Sequence, residues 1–126
     1  MKLKRDAIKY VRDRAKSKYQ KADNCYICGD SKRLDFHHYH TLAPLLDVWL
    51  KKKIQIRPDH YTDEYIMVWR DEFIDDNWFE LYDETVTLCH DHHLKLHSIY
   101  GRDPGLHTVE KQKRWVGIQR EKNGLV

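Results

Sequence analysis

Two pairs of side chains in the sequence have the spacing and the chemistry of ligands for one zinc ion. The four side chains are Cys25, Cys28, Cys89 and His92. A two-residue gap lets both members of a pair reach the same ion, and zinc binds four such ligands in a tetrahedron. Because protein side chains would fill all four positions, the sequence predicts a structural Zn²⁺ here, with His93 as the alternative to His92.

Four histidines predict a second metal centre. They form two close pairs, His37 with His38 and His93 with His97. His93 and His97 are four residues apart, so on a helix they share one face and can bind one ion. Each pair adjoins one half of the predicted zinc site, and zinc binding would bring the pairs together. We therefore expect one histidine-rich site rather than four separate surface residues.

The elements that must position these side chains follow from the hydrophobic spacing and from turn signals. Helices are predicted at five places, which are residues 3–21, 42–53, 62–82 (as one helix or two), 90–100 and 108–122. Short strands are predicted at 33–38 and 85–88, with an extended stub at 54–56. The histidine pairs would then lie at the end of the first strand and on the helix that follows the second.

Charge is distributed unevenly, although the net charge of the chain is only +3. Residues 1–23 carry nine Lys or Arg and three Asp, residues 60–84 carry nine acids and one Arg, and residues 95–126 carry seven basic and three acidic residues. The basic ends can follow a phosphate backbone, with a solvated helix face as the plain alternative. The acids of 60–84 would repel a nucleic acid, so we expect the aromatic side chains there in the core.

Length and composition limit the class of protein. A chain of 126 residues with 40% hydrophobic and 34% charged residues fits one globular domain with a small core. No apolar run approaches the ~20 residues of a membrane span, and the basic N-terminus lacks the apolar stretch of a signal peptide. Three cysteines do not indicate a disulfide framework. We expect a cytoplasmic protein that has no membrane partner.

The segments CYICG, LDFHH and TVTLCHDHHLKLH resemble the HNH endonuclease family in its His-His form, which also occurs in nuclease colicins. The resemblance covers roughly residues 25–38 and 84–97. It implies an α+β fold, in which a ββα-metal core with a Cys₃His zinc knot is flanked by additional helices. It also implies one catalytic divalent ion, for which Mg²⁺, Mn²⁺, Ni²⁺ and Zn²⁺ are the candidates.

The resemblance assigns roles to the histidines. His37, His93 and His97 would hold the catalytic ion, and His38 would be the general base. A neutral imidazole can take the proton of an attacking water, because its ordinary pKa lies near the working pH.

Two departures from the family pattern bear on the base. Glu84 stands five residues before Cys89, where the family commonly has Asn. A carboxylate can orient a histidine, so we expect Glu84 to act with His38 in catalysis. Neighbouring residues of an ideal strand point to opposite faces, so His37 and His38 can both reach one ion only if the strand ends or twists there. His38 and His40 would share a face more simply, and His40 is therefore the rival to His38 as the base.

The sequence shows no repeat, low-complexity tract or flexible linker, so we expect residues 1–126 to form a single nuclease domain. A basic N-terminal helix spans 1–23, the zinc and ββα core spans 24–38 and 84–100, a helical acidic insert spans 39–83, and a basic C-terminal helix spans 105–123. The insert would pack over the zinc knot, bind a partner protein through residues 60–84, or screen DNA from that side.

Basic side chains at both ends of the chain are the candidates for contacts with the DNA backbone. They are Lys111, Lys113, Arg114, Arg12 and Lys16. Such contacts hold a strand without reading its sequence.

The sequence therefore predicts a divalent-metal-dependent HNH endonuclease that hydrolyses phosphodiester bonds in DNA. By resemblance it is of phage or mobile-element type and acts in the cytoplasm of a bacterium or a phage-infected host. The alternative is a catalytically inactive, zinc-stabilised module with the same fold that binds DNA or protein, and a zinc hydrolase of another type is the third hypothesis. DNA rather than RNA as the substrate follows from the resemblance alone.

Overall fold

The computed structural model describes the backbone of residues 4–54 and 63–125, and the side chains of residues 8–53 and 68–125. In this part of the chain the elements are, in order, α1 (Lys4–Lys16), β1 (Leu34–His38), α2 (Leu42–Ile54), α3 (Asp63–Asp76), β2 (Thr85–Cys89), α4 (His90–Tyr100) and α5 (Val109–Lys122). A π-helical turn (Phe79–Asp83) precedes β2, and a 3-10 turn (Leu106–Thr108) precedes α5. Helices around one two-stranded sheet confirm the predicted α+β class.

The two strands and the helix after them form a ββα unit. β1 and β2 pair in antiparallel fashion, with Leu34 opposite Cys89. The backbone N–H of His90 donates to the carbonyl of Arg33 at 2.8 Å, so the first residue of α4 is tied to the residue before β1. The sheet thereby fixes where α4 begins and which of its side chains turn toward β1.

The first helix ends at Lys16, five residues earlier than predicted. The hydroxyl of Ser17 donates to the carbonyl of Arg14 at 2.6 Å and satisfies an acceptor of the last turn. The chain then turns, and Tyr19 stacks on Phe36 with ring centroids 4.3 Å apart. The apolar spacing extends to Tyr19 because its ring packs against the same core, although the helix does not continue.

The predicted helix at 62–82 is two pieces within the described residues. α3 ends at Asp76, and the side-chain amide of Asn77 donates to the carbonyl of Phe73 at 2.9 Å. The π-helical turn follows.

Ile54 ends α2, so the remainder of the predicted stub at 54–56 and the residues 60–62 of the acidic segment lie outside the described residues.

Two clusters of buried side chains form the core. The first, called the insert core here, joins α1 to α2 and α3, and its members are Val11, Ala15, Leu42, Leu45, Leu46, Trp49, Leu50, Phe73, Ile74 and Leu81. The second, called the knot core, joins the Cys25 turn, β2, α4 and α5, and its members are Cys25, Ile27, Tyr39, Leu88, Cys89, Leu96, Val109 and Val116. The helices α2 and α3 of the insert therefore pack with α1 in the insert core, and Tyr39 is the residue of the insert that joins the knot core.

The aromatic side chains between residues 68 and 82 are divided between core and surface. Phe73 is fully buried, as expected from the sequence. Trp78 and Phe79, however, are 43% and 56% exposed. Trp78 directly precedes the π-helical turn, and the turn itself places Phe79 outside the insert core and Leu81 inside it.

A matched pair of substitutions on α2 tests the insert core. Leu46 is 1% exposed and Val48 is 41% exposed on the same helix. We expect Leu46→Ala to lower the free energy of unfolding by about 2–5 kcal/mol, because it leaves a cavity, and Val48→Ala to change it by about 0.5 kcal/mol or less. Urea unfolding followed by circular dichroism measures both. Equal effects of the two substitutions would contradict the assignment of Leu46 to the core.

Candidate metal centres and active site

The four predicted zinc ligands lie together. Their ligand atoms are all within 4.8 Å of one another, and the group could hold a metal ion. The sulfur of Cys89 lies 3.2 Å from Nδ1 of His92 and 3.9 Å from the sulfur of Cys28. Nδ1 of His92 lies 4.0 Å from the sulfur of Cys25. His92 belongs to this group, whereas His93 belongs to the second cluster described below.

Local backbone structure presents the first two cysteines. Gly29 has a φ of +79°, a conformation that glycine adopts without the strain that a side chain would add. Its N–H donates to the Cys25 carbonyl at 2.8 Å, and the Cys25 N–H donates to the Asp30 carbonyl at 2.7 Å. The N–H of Tyr26 then donates to the carbonyl of Thr87 in β2 at 2.9 Å. The turn is thus closed on itself and attached to the strand that carries Cys89.

The ionisation of the thiols fits a metal site. Burial opposes ionisation of Cys25, but backbone hydrogen bonds from Cys89, Cys28 and Ile27 outweigh it and lower the pKa of the Cys25 thiol. Burial raises the pKa of Cys89 to about 11, and the charge of Cys25 adds to this increase. One thiolate is therefore favoured and a second beside it is not, unless a cation neutralises them.

Three histidines form the second cluster. His37, His93 and His97 have ligand atoms within 4.8 Å of one another, and they too could hold a metal ion. Nε2 of His93 lies 3.1 Å from Nδ1 of His37 and 3.0 Å from Nε2 of His97. β1 provides His37, and consecutive turns of α4 provide the other two.

The remaining ring nitrogen of each histidine faces a hydrogen-bond acceptor. Nε2 of His37 lies 2.8 Å from Oε1 of Gln112. Nδ1 of His93 lies 3.1 Å from Oδ2 of Asp35, and Nδ1 of His97 lies 2.8 Å from the carbonyl of Gly101. Each outer nitrogen therefore carries the proton, and the three lone pairs point toward one another. This arrangement of outer partners is typical of histidines that bind metals.

Burial keeps the central ring neutral. His37 is 3% exposed, and burial lowers its pKa to about 3, with a smaller opposing effect of the bond to Gln112. Burial also lowers the pKa of His93. Neutral imidazole is the form that binds a metal ion, so His37 needs no deprotonation near neutral pH.

The predicted base lies in the same cavity as the three histidines. This cavity, called the histidine cavity here, has a volume of about 360 Å³, and His37, His38, His93 and His97 all line it. His38 stands on the Phe36 side of the strand, and its Nδ1 lies 3.2 Å from the hydroxyl of Tyr19. Burial lowers the pKa of His38 to about 4, and the backbone of Leu81 partly opposes this effect. His38 is therefore neutral near neutral pH.

The carboxylate of Glu84 contacts Lys113 and His40 rather than His38, the partner expected from the sequence. Its two carboxylate oxygens accept hydrogen bonds from Nζ of Lys113, both at 3.0 Å, and Oε1 lies 3.8 Å from Nε2 of His40. Among the described residues, no hydrogen bond joins Glu84 to His38. His40 lies beside Glu84 and does not line the histidine cavity.

The five candidate DNA contacts fall into two groups. Arg12 and Lys16 are exposed on α1 and line the histidine cavity. Lys111 and Arg114 are exposed on α5 and do not line it. Lys113 is half-buried, and its hydrogen bonds to Glu84 raise the pKa of its ammonium group and compensate its charge.

Four residues of this region were not singled out from the sequence. They are Tyr19, Asp35, Arg102 and Gln112. The sequence could have indicated Asp35 as a site residue, because Asp35 precedes His37 by two residues and therefore shares a face of the strand with it. Arg102 lines the histidine cavity from the loop after α4, and Gln112 arrives from α5. Only the tertiary structure brings these two to the histidines.

Comparison with known proteins gives the family. The chain matches the model of the nicking endonuclease family of phage T5 over residues 1–124. This protein therefore belongs to that family, and it is a phage-type nuclease that acts on DNA. No solved structure matches the chain. Within the described ranges, every helix is too short or too polar to cross a membrane.

Loss of one thiol tests the Cys/His cluster. We expect the purified protein to retain one Zn²⁺ per chain and Cys28→Ser to lose it. The binding free energy of a structural zinc contributes directly to folding, with apparent values of about 10–16 kcal/mol in zinc-finger peptides. The substitution should therefore lower the melting temperature strongly or prevent folding. Metal content by mass spectrometry and thermal unfolding by circular dichroism measure the two effects.

The control for this experiment is His107→Ala, which removes an exposed histidine outside both clusters. It should keep both the zinc and the melting temperature of the wild type. A Cys28→Ser protein with full zinc content and unchanged melting would show that the cluster is not a zinc site.

Proposed function

We propose that this protein is an HNH-type nicking endonuclease that depends on a divalent metal ion and hydrolyses a phosphodiester bond in one strand of DNA. The observation that carries the proposal is the convergence of three histidines beside a fourth in one cavity. In this proposal residues 1–126 form a single nuclease domain, the Cys₃His cluster holds a structural Zn²⁺, and the protein acts in the cytoplasm of a bacterium or an infected host.

The donor set fits a divalent catalytic ion. Three imidazole nitrogens converge, and protein supplies no fourth ligand within the described residues of this cluster, so water and a phosphate oxygen have room. An ion held by His37, His93 and His97 would supply positive charge to the phosphate and to the departing oxygen. Mg²⁺, Mn²⁺, Ni²⁺ and Zn²⁺ remain the candidates.

His38 is the base in this proposal. Its Nε2 is buried, so we assign the proton-accepting role to Nδ1, the nitrogen beside the Tyr19 hydroxyl. A neutral ring can accept the proton of the attacking water there. His38 lines the histidine cavity and His40 does not, which favours His38 over its rival.

Glu84 supports the site at a distance in this proposal. It binds Lys113 of α5 and, through its backbone carbonyl, accepts from the N–H of Tyr39 at 3.4 Å. These contacts join α5 to the end of the hairpin, close in sequence to His38. The proposal that residues 60–84 bind a partner protein has no further support from the contacts of the described residues.

A plasmid assay tests the proposed function. With Mg²⁺, Mn²⁺ or Ni²⁺, the wild-type protein should convert supercoiled plasmid to the nicked circle before any linear form accumulates. We expect His38→Ala to lower the rate by about 10²–10⁴-fold, because the general base is removed. The matched control is His40→Ala, which should cut at a rate near that of the wild type.

Two results would overturn the proposal. If zinc-loaded wild-type protein binds plasmid but cuts it with none of the three ions, the inactive binding module is the better description. If His40→Ala loses activity and His38→Ala keeps it, the base is His40.

A further inference from the structure

A second cavity adjoins the histidine cavity. It has a volume of about 550 Å³, and Lys16, Tyr19, Phe36 and His93 line both. Lys21 and His90 line the second cavity only. The two cavities therefore form one groove, called the active-site groove here, that passes over the metal-binding histidines.

Positively charged side chains line both cavities of this groove. Arg102 and Arg12 line the histidine cavity, Lys16 lines the junction, and Lys21 lines the second cavity. Two acids also line the groove. Asp35 is engaged by the rings of His90 and His93, both at 3.1 Å, and Asp103 follows Arg102 in the chain.

The basic residues of α5 are placed differently. Lys113 lines a separate cavity with Glu84 and Arg120, and its charge is compensated by the carboxylate. Arg120 donates to the carbonyl of Tyr26 at 2.6 Å and covers the ring of that tyrosine. Lys113 and Arg120 are therefore engaged within the protein, whereas the basic side chains of the active-site groove lie in the cavities that the metal-binding histidines line.

We propose that the active-site groove binds successive phosphates of one DNA strand around the bond that is cut, with Arg102 of the histidine cavity and Lys16 at the junction of the two cavities as contacts. This inference rests on the proposed function and names the surface that the substrate occupies. A single backbone that passes over the histidines presents one phosphodiester to His38, which agrees with cutting of one strand.

The test measures binding without cutting. In a His38→Ala background without added divalent ion, binding of a labelled DNA duplex is followed by fluorescence anisotropy from low to moderate salt. Removal of one contact between a basic side chain and a phosphate reduces the slope of log K against log salt by about 0.9. We expect the pair Lys16→Gln and Arg102→Gln to weaken binding and reduce this slope by about 2. The pair Lys111→Gln and Arg114→Gln should leave the slope near that of its parent.

The reverse result, in which the α5 pair reduces the slope and the groove pair does not, would place the DNA on α5 and overturn the inference. An unchanged slope for both pairs would overturn it as well. Because binding is measured apart from cleavage, failure here leaves the plasmid assay of the proposed function unaffected, and the two proposals fail separately.

A second inference rests on Gln112, which is fully buried on α5. Its Nε2 donates to the carbonyl of Tyr39 at 3.3 Å and to Oγ1 of Thr108 at 2.9 Å. These two acceptors fix which end of the amide faces the site. Oε1 must therefore be the atom that lies 2.8 Å from Nε2 of His37.

We infer that Gln112 is a positioning residue that sets the tautomer of His37. Its Oε1 can only accept, so Nε2 of His37 carries the proton and Nδ1 keeps its lone pair for the metal ion. The opposite tautomer would leave two acceptors facing each other in a buried place, which is costly. The function of α5 in this view is to complete the metal site.

Two substitutions test this inference. Gln112→Met removes the acceptor at similar volume, and Gln112→Glu keeps an acceptor. We expect Gln112→Met to lower the affinity for Mn²⁺ or Ni²⁺, measured by calorimetry, by about 10–100-fold. Gln112→Glu should restore part of it, because the acceptor for His37 is kept while the donor to Tyr39 and Thr108 is lost. Nitrogen-15 chemical shifts of the His37 ring, recorded without added divalent ion, should show the proton on Nε2 in the wild type and in Gln112→Glu.

A Gln112→Met protein that keeps both this tautomer and the wild-type affinity would contradict the inference. If Gln112→Met fails to fold, Gln112→Glu decides the question. A Glu variant that folds but shows the proton on Nδ1 of His37 would contradict the inference equally.

Discussion

One closure of the chain positions everything else in this structure: the meeting of Cys25 and Cys28 with Cys89 and His92. The two pairs are separated by about sixty residues, and bringing such distant segments together costs chain entropy that a small core compensates poorly. The closure sets the start of α4, because Cys89 ends β2 and His92 lies in the first helical turn. Once the start of α4 is fixed, the side chains of His93 and His97 face β1.

In the three-histidine cluster, each ring nitrogen either presents a lone pair or donates a hydrogen bond. The inner nitrogens of His37, His93 and His97 present lone pairs, and the outer ones have acceptors from a side-chain amide, a carboxylate and a backbone carbonyl. A buried imidazole without such partners would be destabilising and free to change tautomer. The site is therefore organised before any ion arrives, and the cost of ordering it is met during folding.

The sequence was informative where ligands are close neighbours in the chain. The two-residue gaps of the cysteines and the four-residue gap from His93 to His97 are properties of one turn or one helix, so spacing predicted which atoms meet. The beginnings and ends of the strands could be predicted for the same reason. The end of α1 could not, because Tyr19 keeps the helical spacing while it packs on Phe36 from a turn.

The other differences between the sequence predictions and the structure arise from contacts between residues that are far apart in the chain. The family pattern suggested that Glu84 orients His38, but the carboxylate meets Lys113, which is 29 residues further along the chain. Gln112 reaches His37 across 75 residues, and no local signal distinguishes it from an ordinary polar residue of a surface helix. Such pairs depend on how α5 packs on the knot core, which the pattern within α5 does not specify.

The hydrogen bond between His37 and Gln112 of α5 also affects when, during synthesis of the chain, the three-histidine cluster becomes complete. Domains fold as the chain is made, from the N-terminal end, and α5 is made after the other described elements. Until residue 112 has left the ribosome, the buried ring of His37 lacks its acceptor. In a nascent chain of this design, the hydrogen bonds of the three-histidine cluster are therefore complete only after α5 docks.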